Sequence, residues 1–281
     1  MQLKAYFPGA IYPTISITGN KCLLNCSYCR GRYLDGMVSA VTPELLYQAA
    51  KSLKKKAAKG ILVSGGFDKD GVLPIRPFLP TIRRIKEELG LLVSVHPGLV
   101  DREMACLLRE SKIDIVDFQL VVDPIVIKEM QGLERGPLGY MESLDALMKY
   151  GPPYIVPHIP IGFRDGDATT EKEAVDLAKD YDPYLLTVLF SIPPPTSAIQ
   201  GFISDLEKLL SFLRYARSSK YETAIGCMRP PKMRESLDVY AVEERLVDRV
   251  AVPDLRVVNK FGMKVIRACC SLPNEFLHLF S

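Results

Sequence analysis

The sequence predicts an α/β fold, a partial or complete (β/α) barrel of the TIM type. Short, continuously apolar runs alternate along the 281 residues with amphipathic segments of about 10 to 15 residues, and about six such pairs follow one another. Strands that are apolar throughout are buried on both faces, as in a parallel sheet covered by helices. A doubly wound open sheet has the same alternation and stays open as the alternative.

Local signals mark where the helices begin. Thr42 precedes Pro43, and a threonine hydroxyl caps the free amides of a first helical turn in which proline is well tolerated. Asp101 and Thr170 predict two further helix starts by the same capping chemistry. The helices are expected at residues 43–59, 76–89, 101–110, 140–150, 170–180 and 202–217. The strands are expected at residues 15–18, 61–64, 91–95, 113–122, 155–162, 185–192 and 223–227.

Composition and charge exclude several classes of protein. Hydrophobic residues make up 48% and charged residues 25% of the chain, which is usual for a folded domain and excludes intrinsic disorder. A net charge of +3 without a basic stripe gives no reason to expect a nucleic-acid partner. No apolar stretch reaches the roughly 18 residues of a membrane span, and the first residues lack the pattern of a signal peptide. We therefore expect a cytoplasmic protein without a membrane partner.

Three of the seven cysteines form the strongest motif. They stand in Cys22-Leu-Leu-Asn-Cys26-Ser-Tyr-Cys29, just after the first predicted strand, where α/β barrels carry their chemistry. Three thiolates can bind three irons of a [4Fe–4S] cluster and leave the fourth iron open to a ligand. A structural zinc ion is the alternative, but it normally takes four ligands, and none of the three histidines is nearby in sequence.

The cysteine spacing, with Tyr28 just before the last cysteine, resembles the signature of the radical S-adenosylmethionine (radical SAM) superfamily. The resemblance implies that Cys22, Cys26 and Cys29 are the catalytic cluster ligands and that the open iron binds S-adenosylmethionine. Reductive cleavage of this cofactor would give a 5′-deoxyadenosyl radical, which removes a hydrogen atom from an unactivated carbon. An electron donor such as a ferredoxin is then an expected partner.

Further residues are expected to bind S-adenosylmethionine. The Ser-Gly-Gly run that ends the second predicted strand resembles the glycine-rich motif of the superfamily, although Phe67 stands where an acidic residue is usual. Glycine there would let the backbone approach the methionine group, and an ordinary Gly-Gly turn is the alternative. One residue comes from a segment that resembles the adenine contact, and two polar residues stand at strand ends. The predicted set is Tyr28, Ser64, Gly65, Gly66, Ser94, Gln119 and Ile161.

Cys227, Cys269 and Cys270 predict a second metal site. They come from two distant segments and together can hold a second [4Fe–4S] cluster, whereas buried free thiols are the alternative. Neighbouring residues of a strand point to opposite faces, so Cys269 and Cys270 can share a cluster only on irregular backbone. Residues 1–225 would form the barrel core. Residues 226–281 would form the barrel end and an extension that closes over the carboxyl-terminal mouth, all within one structural domain.

From Tyr28 to about Asn259 the chain resembles biotin synthase and its relatives, and within them the smaller subunit of the two-protein lipoyl synthases found mainly in archaea. The segment from Gly226 to Pro230 and the late Cys-Cys pair carry the narrower resemblance. It implies sulfur insertion into unactivated C–H bonds of an octanoyl chain on a lipoyl carrier protein or peptide, with a paralogous radical SAM subunit as partner. A radical SAM enzyme of another reaction class, such as a biotin synthase-like enzyme, a methylthiolase or a mutase, is the alternative. In that case a second cluster would bind substrate or relay electrons.

Overall fold

The computed structural model describes residues 2–164, 168–192 and 205–280. Residues 202–204 of one predicted helix lie outside these ranges. The strands are β1 (Lys4–Tyr6), β2 (Thr14–Ser16), β3 (Val38–Ser39), β4 (Gly60–Ser64), β5 (Leu92–Val95), β6 (Ile115–Gln119), β7 (Tyr154–Ile161), β8 (Leu185–Phe190), β9 (Glu222–Ile225), β10 (Arg249–Ala251) and β11 (Lys264–Ile266). The helices are α1 (Pro43–Lys55), α2 (Leu79–Arg84), α3 (Arg102–Glu110), α4 (Gly136–Tyr150), α5 (Thr169–Lys179), α6 (Leu206–Ala216), α7 (Arg234–Glu243), α8 (Leu255–Phe261) and α9 (Leu277–Phe280). None of these helices has the length and apolar character that crossing a bilayer requires.

The order of the strands decides between the two predicted architectures. All neighbouring strands are parallel, and the order across the sheet is β11-β1-β10-β9-β8-β7-β6-β5-β4-β2-β3. From β4 to β10 each strand therefore lies beside its neighbour in sequence. A doubly wound sheet would reverse its direction at a switch point, and this series of described strands does not reverse. The sheet curls into a half-barrel with helices outside it, which confirms the predicted partial barrel.

Local chemistry accounts for two of the three predicted helix starts. The Thr42 hydroxyl accepts a hydrogen bond from the amide three residues on at 3.2 Å, and Asp101 caps its helix in the same way at 2.8 Å. The prediction for Thr170 is wrong, because α5 begins one residue earlier. Thr170 Oγ1 instead donates to Asp123 Oδ2 at 3.0 Å. The hydroxyl that we expected to cap the helix therefore binds Asp123, which lies just beyond the end of β6.

The side chains of each strand divide between two apolar layers. Alternate residues pack outward under the helices, and the residues between them point into the half-barrel. Inward-facing Tyr6, Leu92 and Ile115 come from strands far apart in the sheet, yet they belong to one buried cluster. The sheet therefore curves around them. The same cluster includes Leu272 and Phe280 from the last residues of the chain.

The segment after β11 (residues 267–280) is called the tail, and its last part fills the barrel at the end where the strands begin, which we call the floor. Phe276 packs against Tyr154, the first residue of β7, with 6.1 Å between ring centroids, and Phe280 packs against Tyr12 at 5.7 Å. The sequence predicts a closing segment over the carboxyl-terminal mouth. Phe276 and Phe280 lie at the floor, where they complete an aromatic cluster. A segment that closes over the mouth stays a prediction.

A buried ion cluster fastens the tail to the floor. Glu222 accepts a hydrogen bond from Lys4 Nζ at 2.8 Å and pairs with Arg249. Arg249 also donates to the carbonyl oxygens of Cys270 at 2.7 Å and Leu272 at 2.6 Å. Burial alone would raise the pKa of Glu222, but the charge of Arg249 and the hydrogen bonds that the carboxylate accepts lower it to about 2. Glu222 is therefore ionised over the whole physiological range.

Candidate metal and cofactor site

The cysteine loop (residues 17–31) leaves the carboxyl-terminal end of β2. Two of its non-glycine residues have left-handed backbone, Asn25 with φ 46° and Arg30 with φ 48°. That conformation is rare outside glycine and turns the chain sharply. The loop consequently folds back on itself, and a Cβ placed on Gly31 would lie 3.9 Å from the Cβ of Cys22. The first and last parts of the motif are therefore neighbours in space.

The cysteine thiols of this loop interact with one another. A hydrogen bond from Cys26, together with the Gly31 amide and the charge of Arg32, lowers the pKa of Cys29 to about 6 against the effect of burial. The pKa of Cys26 is raised, because its thiol donates to Cys29 and is buried, and nearby Cys22 adds to the rise. Thiolates are the ligands that iron–sulfur clusters use. Three thiols on one compact loop therefore fit a [4Fe–4S] cluster.

Gly66 holds the cysteine loop against the end of β4. Its amide donates to Thr18 Oγ1 at 2.7 Å, and the carbonyl of Phe67 accepts the amide of Leu23 at 2.8 Å. A Cβ on Gly66 would lie 2.6 Å from the Cβ of Cys22 and closer still to its Cα. The backbone of the loop thus occupies the space beside this glycine. The sequence predicts the same residue for a different reason, the close approach of the methionine group.

Tyr28 ties the cysteine loop to the sheet. Its hydroxyl accepts hydrogen bonds from Gln131 Nε2 at 3.1 Å and from Gln119 Nε2 at 3.4 Å. Its ring lies 4.8 Å from the ring of Phe163, which follows β7. Tyr28 and Gln119 are therefore in contact, as expected for two residues at one mouth, and both help to position the loop. Their contact with the cofactor stays a prediction.

The other predicted cofactor-binding residues have different surroundings. Ser64 ends β4 and is buried, and a Cβ on Gly65 would lie 2.9 Å from Thr18 Oγ1, so both belong to the packing beneath the cysteine loop. The side chain of Ile161 is fully buried between the sheet and the helices, so only its backbone is available to a ligand. Ser94 is buried in the barrel interior, and its hydroxyl has no hydrogen-bond partner among the described residues.

The three late cysteines are near enough to affect one another's pKa, but only Cys270 is buried, and the side chain of Cys227 is exposed. Cys227 follows β9, and Cys269 and Cys270 follow β11 on irregular backbone, which is the condition for their sharing a site. Although Cys227 is exposed at its surface, the protein around it and the neighbouring Cys269 raise the pKa of its thiol. A hydrogen bond between the adjacent thiols lowers the pKa of Cys269 and raises that of Cys270. Cys269 Sγ also lies 3.3 Å from Ser271 Oγ. That these thiols bind a cluster stays a prediction.

Two polar residues that the sequence did not single out, Asp117 and His158, lie in the barrel interior. Together with His96 they form the interior triad, in which Nε2 of His96 is 3.5 Å from Asp117 Oδ2 and Nε2 of His158 is 3.8 Å from Asp117 Oδ1. Burial lowers the pKa of His158 to about 4, so its ring is neutral near pH 7. The alternation of β6 and β7 puts both residues on the inner face, but the register that joins them requires the structure.

Comparison with known proteins supports the reading of the cysteine loop. The sequence model described as the radical SAM superfamily matches residues 16–151. No curated protein matches the chain in sequence.

Solved structures share the fold at low sequence identity. Methylornithine synthase (PylB) has a TM-score of 0.59 and 16% identity, with 95% of this chain and 84% of that chain covered. HydG, a maturase of the [FeFe]-hydrogenase, has a TM-score of 0.66 and 15% identity, with 99% and 66% covered. Streptococcus suis SuiB bound to S-adenosylmethionine has a TM-score of 0.56 and 13% identity, with 88% and 51% covered. The chain spans less than two thirds of the last two proteins, and the likeness concerns the fold.

Proposed function

Residues 16–151 match the sequence model of the radical SAM superfamily, and on that premise we propose that the protein is a radical SAM enzyme that inserts sulfur into unactivated C–H bonds of a carrier-bound octanoyl chain. The match implies a [4Fe–4S] cluster and S-adenosylmethionine. When bound and given one electron by a donor such as a ferredoxin, they supply a 5′-deoxyadenosyl radical that takes one hydrogen atom from the substrate. Cys22, Cys26 and Cys29 would hold the cluster, and Gly66 with Tyr28 would fix their loop.

The observation that carries the sulfur-insertion proposal is the convergence of Cys227, Cys269 and Cys270. A second cluster on these thiols would supply the sulfur atom that bonds to the carbon radical, while its iron takes up the spare electron. The Ser271 hydroxyl, 3.3 Å from Cys269 Sγ, is a weak fourth ligand of the kind that would leave one iron removable. A paralogous radical SAM subunit and the octanoylated carrier are the proposed partners.

The first experiment counts iron and sulfide in anaerobically reconstituted full-length protein. Two [4Fe–4S] clusters give about eight irons per chain. Cys227→Ala and the Cys269→Ala/Cys270→Ala pair should lose about half of the iron and keep basal cleavage of S-adenosylmethionine to 5′-deoxyadenosine. The matched control is Cys106→Ala in α3, which should keep all of the iron. If both late-cysteine variants retain wild-type iron, sulfur insertion loses its support.

The second experiment concerns the first cluster and the product. Replacing Cys22, Cys26 and Cys29 by alanine should abolish 5′-deoxyadenosine formation, and persistence of that product would contradict the assignment of the loop. With an octanoylated carrier peptide, the wild-type protein and its partner subunit should form a C–S bond detectable by mass spectrometry. Cleavage of S-adenosylmethionine without any sulfur in the peptide would point to another reaction class.

One observation favours a second candidate function, a radical SAM enzyme of another reaction class that acts on a polar substrate. An octanoyl chain is apolar, whereas the interior triad places one carboxylate and two imidazoles inside the half-barrel. Burying such groups against an alkyl chain is costly unless they have partners of their own. Substrate screening with polar amino acids alongside the octanoyl peptide separates the two candidates.

A further inference from the structure

The interior triad joins three neighbouring strands of the half-barrel. Asp117 is on the inner face of β6, His158 is on the inner face of β7, and His96 directly follows β5. One nitrogen from each ring and one carboxylate oxygen all lie within 4.8 Å of one another. Both Asp117 and His158 are buried, while 37% of the His96 side chain is exposed. The triad is therefore rigid on two sides and accessible on the third.

Among the described residues, the carboxylate of Asp117 makes no hydrogen bond of ordinary length and angle, although His96 and Ser271 lie near enough to lower its pKa. Its side chain is fully buried, and neither oxygen makes a well-aligned hydrogen bond. A buried polar atom without a partner costs about 1–3 kcal/mol, and more when it is charged, so native structures rarely contain one. The two histidines approach the oxygens at 3.5 and 3.8 Å, too far for the charge-assisted hydrogen bonds of about 2.8 Å that would satisfy them.

Two buried hydroxyls beside the triad also lack a hydrogen-bond partner among the described residues. Thr187 is the register partner of His158 on β8, and Ser94 precedes His96 by two residues on β5, so both face the same space. Both are completely buried, and neither hydroxyl has a hydrogen-bond partner among the described residues. A ligand that binds the triad would therefore also meet groups able to orient its remaining coordinated waters.

We propose that His96, Asp117 and His158 form a mononuclear site for a divalent transition-metal ion of the Mn²⁺ or Fe²⁺ class. Two imidazoles and one carboxylate at bond lengths of about 2.0–2.2 Å place their donor atoms roughly 3–3.6 Å apart, close to the two separations in the triad. Three protein ligands leave coordination positions free, as in two-histidine, one-carboxylate iron sites. The exposed side of His96 is where a further ligand reaches the ion.

The late cysteines are the competing ligands nearby. Cys269 is close enough to shift the pKa of His96. A metal ion added to the protein can therefore bind either the triad or the late cysteines. Mn²⁺ distinguishes the two sites, because it prefers nitrogen and oxygen donors, whereas thiolates prefer softer ions. Mn²⁺ is also paramagnetic, and its six-line resonance disappears on binding to a protein site, which makes the measurement independent of enzymatic activity.

The experiment titrates Mn²⁺ into the full-length protein carrying its reconstituted clusters and follows the resonance of the free ion. We expect one tightly bound Mn²⁺ per chain in the wild type. Asp117→Asn and His96→Gln should each weaken binding at least tenfold, since each removes one of three donors. His278→Gln is the matched control, because that histidine is exposed at the far end of the tail and should leave binding unchanged.

Three outcomes overturn the proposal. One is a wild-type protein that leaves the free Mn²⁺ signal unchanged. Another is a pair of variants, Asp117→Asn and His96→Gln, that bind as the wild type does. The third is loss of binding in Cys269→Ser with the triad variants unaffected, which assigns the ion to the thiols. Circular dichroism on each variant shows that it is folded, and partly exposed His96 gives a usable variant if Asp117→Asn does not fold.

Discussion

Replacing Gly66 by alanine should displace the cysteine loop. The new Cβ would stand 2.1 Å from the carbonyl oxygen of Lys21 and 2.6 Å from the Cβ of Cys22, and ordinary contact begins at 3.4 Å, so the loop backbone must move by about 1.3 Å just before its first cysteine. Metal–ligand distances tolerate only about 0.2 Å. Overpacking of this kind costs about 1–3 kcal/mol, which corresponds to a roughly 5- to 150-fold lower affinity of the loop for the cluster.

The assay measures iron and sulfide per chain after anaerobic reconstitution and gel filtration, with circular dichroism as the test of folding. We expect Gly66→Ala to lose most of the iron bound by the loop and to keep the spectrum of a folded α/β protein. Gly139→Ala is the matched control. A Cβ at that position in α4 first meets the Cβ of Arg135 at 3.0 Å, a contact 0.9 Å longer than the shortest one at Gly66, and alanine is a better helix former than glycine.

One result would refute this reasoning about Gly66. If Gly66→Ala binds iron as the wild type does but has weakened affinity for S-adenosylmethionine, the glycine serves the bound ligand, and the clash with Cys22 is relieved without cost. Equal iron content and equal affinity would mean that the segment is an ordinary turn. Either outcome can be read without turnover measurements, because both quantities are equilibrium properties of the loaded protein.

The remaining predictions concern the floor of the barrel. Glu222→Gln should lower the free energy of unfolding in denaturant by about 3–5 kcal/mol, because it leaves two buried cations without their carboxylate. Glu103→Gln breaks an exposed pair with Arg76 and should leave the free energy of unfolding nearly unchanged. The pKa of Glu222, about 2 when folded, lies below its ordinary value of 4.5. Its stabilising effect is therefore complete above about pH 4.5 and lost as the pH falls toward 2, so acid titration should cost the wild type more stability than Glu222→Gln. Phe280→Ala should cost about 3–5 kcal/mol in thermal unfolding, and half-exposed Leu279→Ala much less.

The mouth of the barrel was predictable because its chemistry is local. Cys22, Cys26 and Cys29 are so close in sequence that a compact loop brings their thiols together whatever the rest of the fold does. Thr42 and Asp101 cap helices through amides only three residues away. The alternation of apolar strands and amphipathic helices indicates the barrel for a similar reason, since each unit is visible within a short window.

The interior was not predictable, because it depends on register and on distant pairs. Asp117 and His158 meet only because β6 and β7 pair in one particular register, and a slip by one residue would turn each side chain toward the helices. Lys4 and Glu222 are 218 positions apart. The packing of Phe276 against Tyr154 joins two residues far apart in the chain, and the sequence shows that Phe276 is apolar but not which aromatic ring it contacts.

The filled floor limits how a molecule can enter and leave the interior of the barrel. Phe276 and Phe280 close the floor among the described residues. A molecule that reaches Asp117 therefore does not come through the floor, and the opposite end, where the cysteine loop lies, is the route we propose. Entry at that end would impose an order on events, because the reacting group would go in before S-adenosylmethionine binds beside the cysteine loop. A substrate on a large carrier would have to present its reacting group on an arm long and thin enough to reach past the loop.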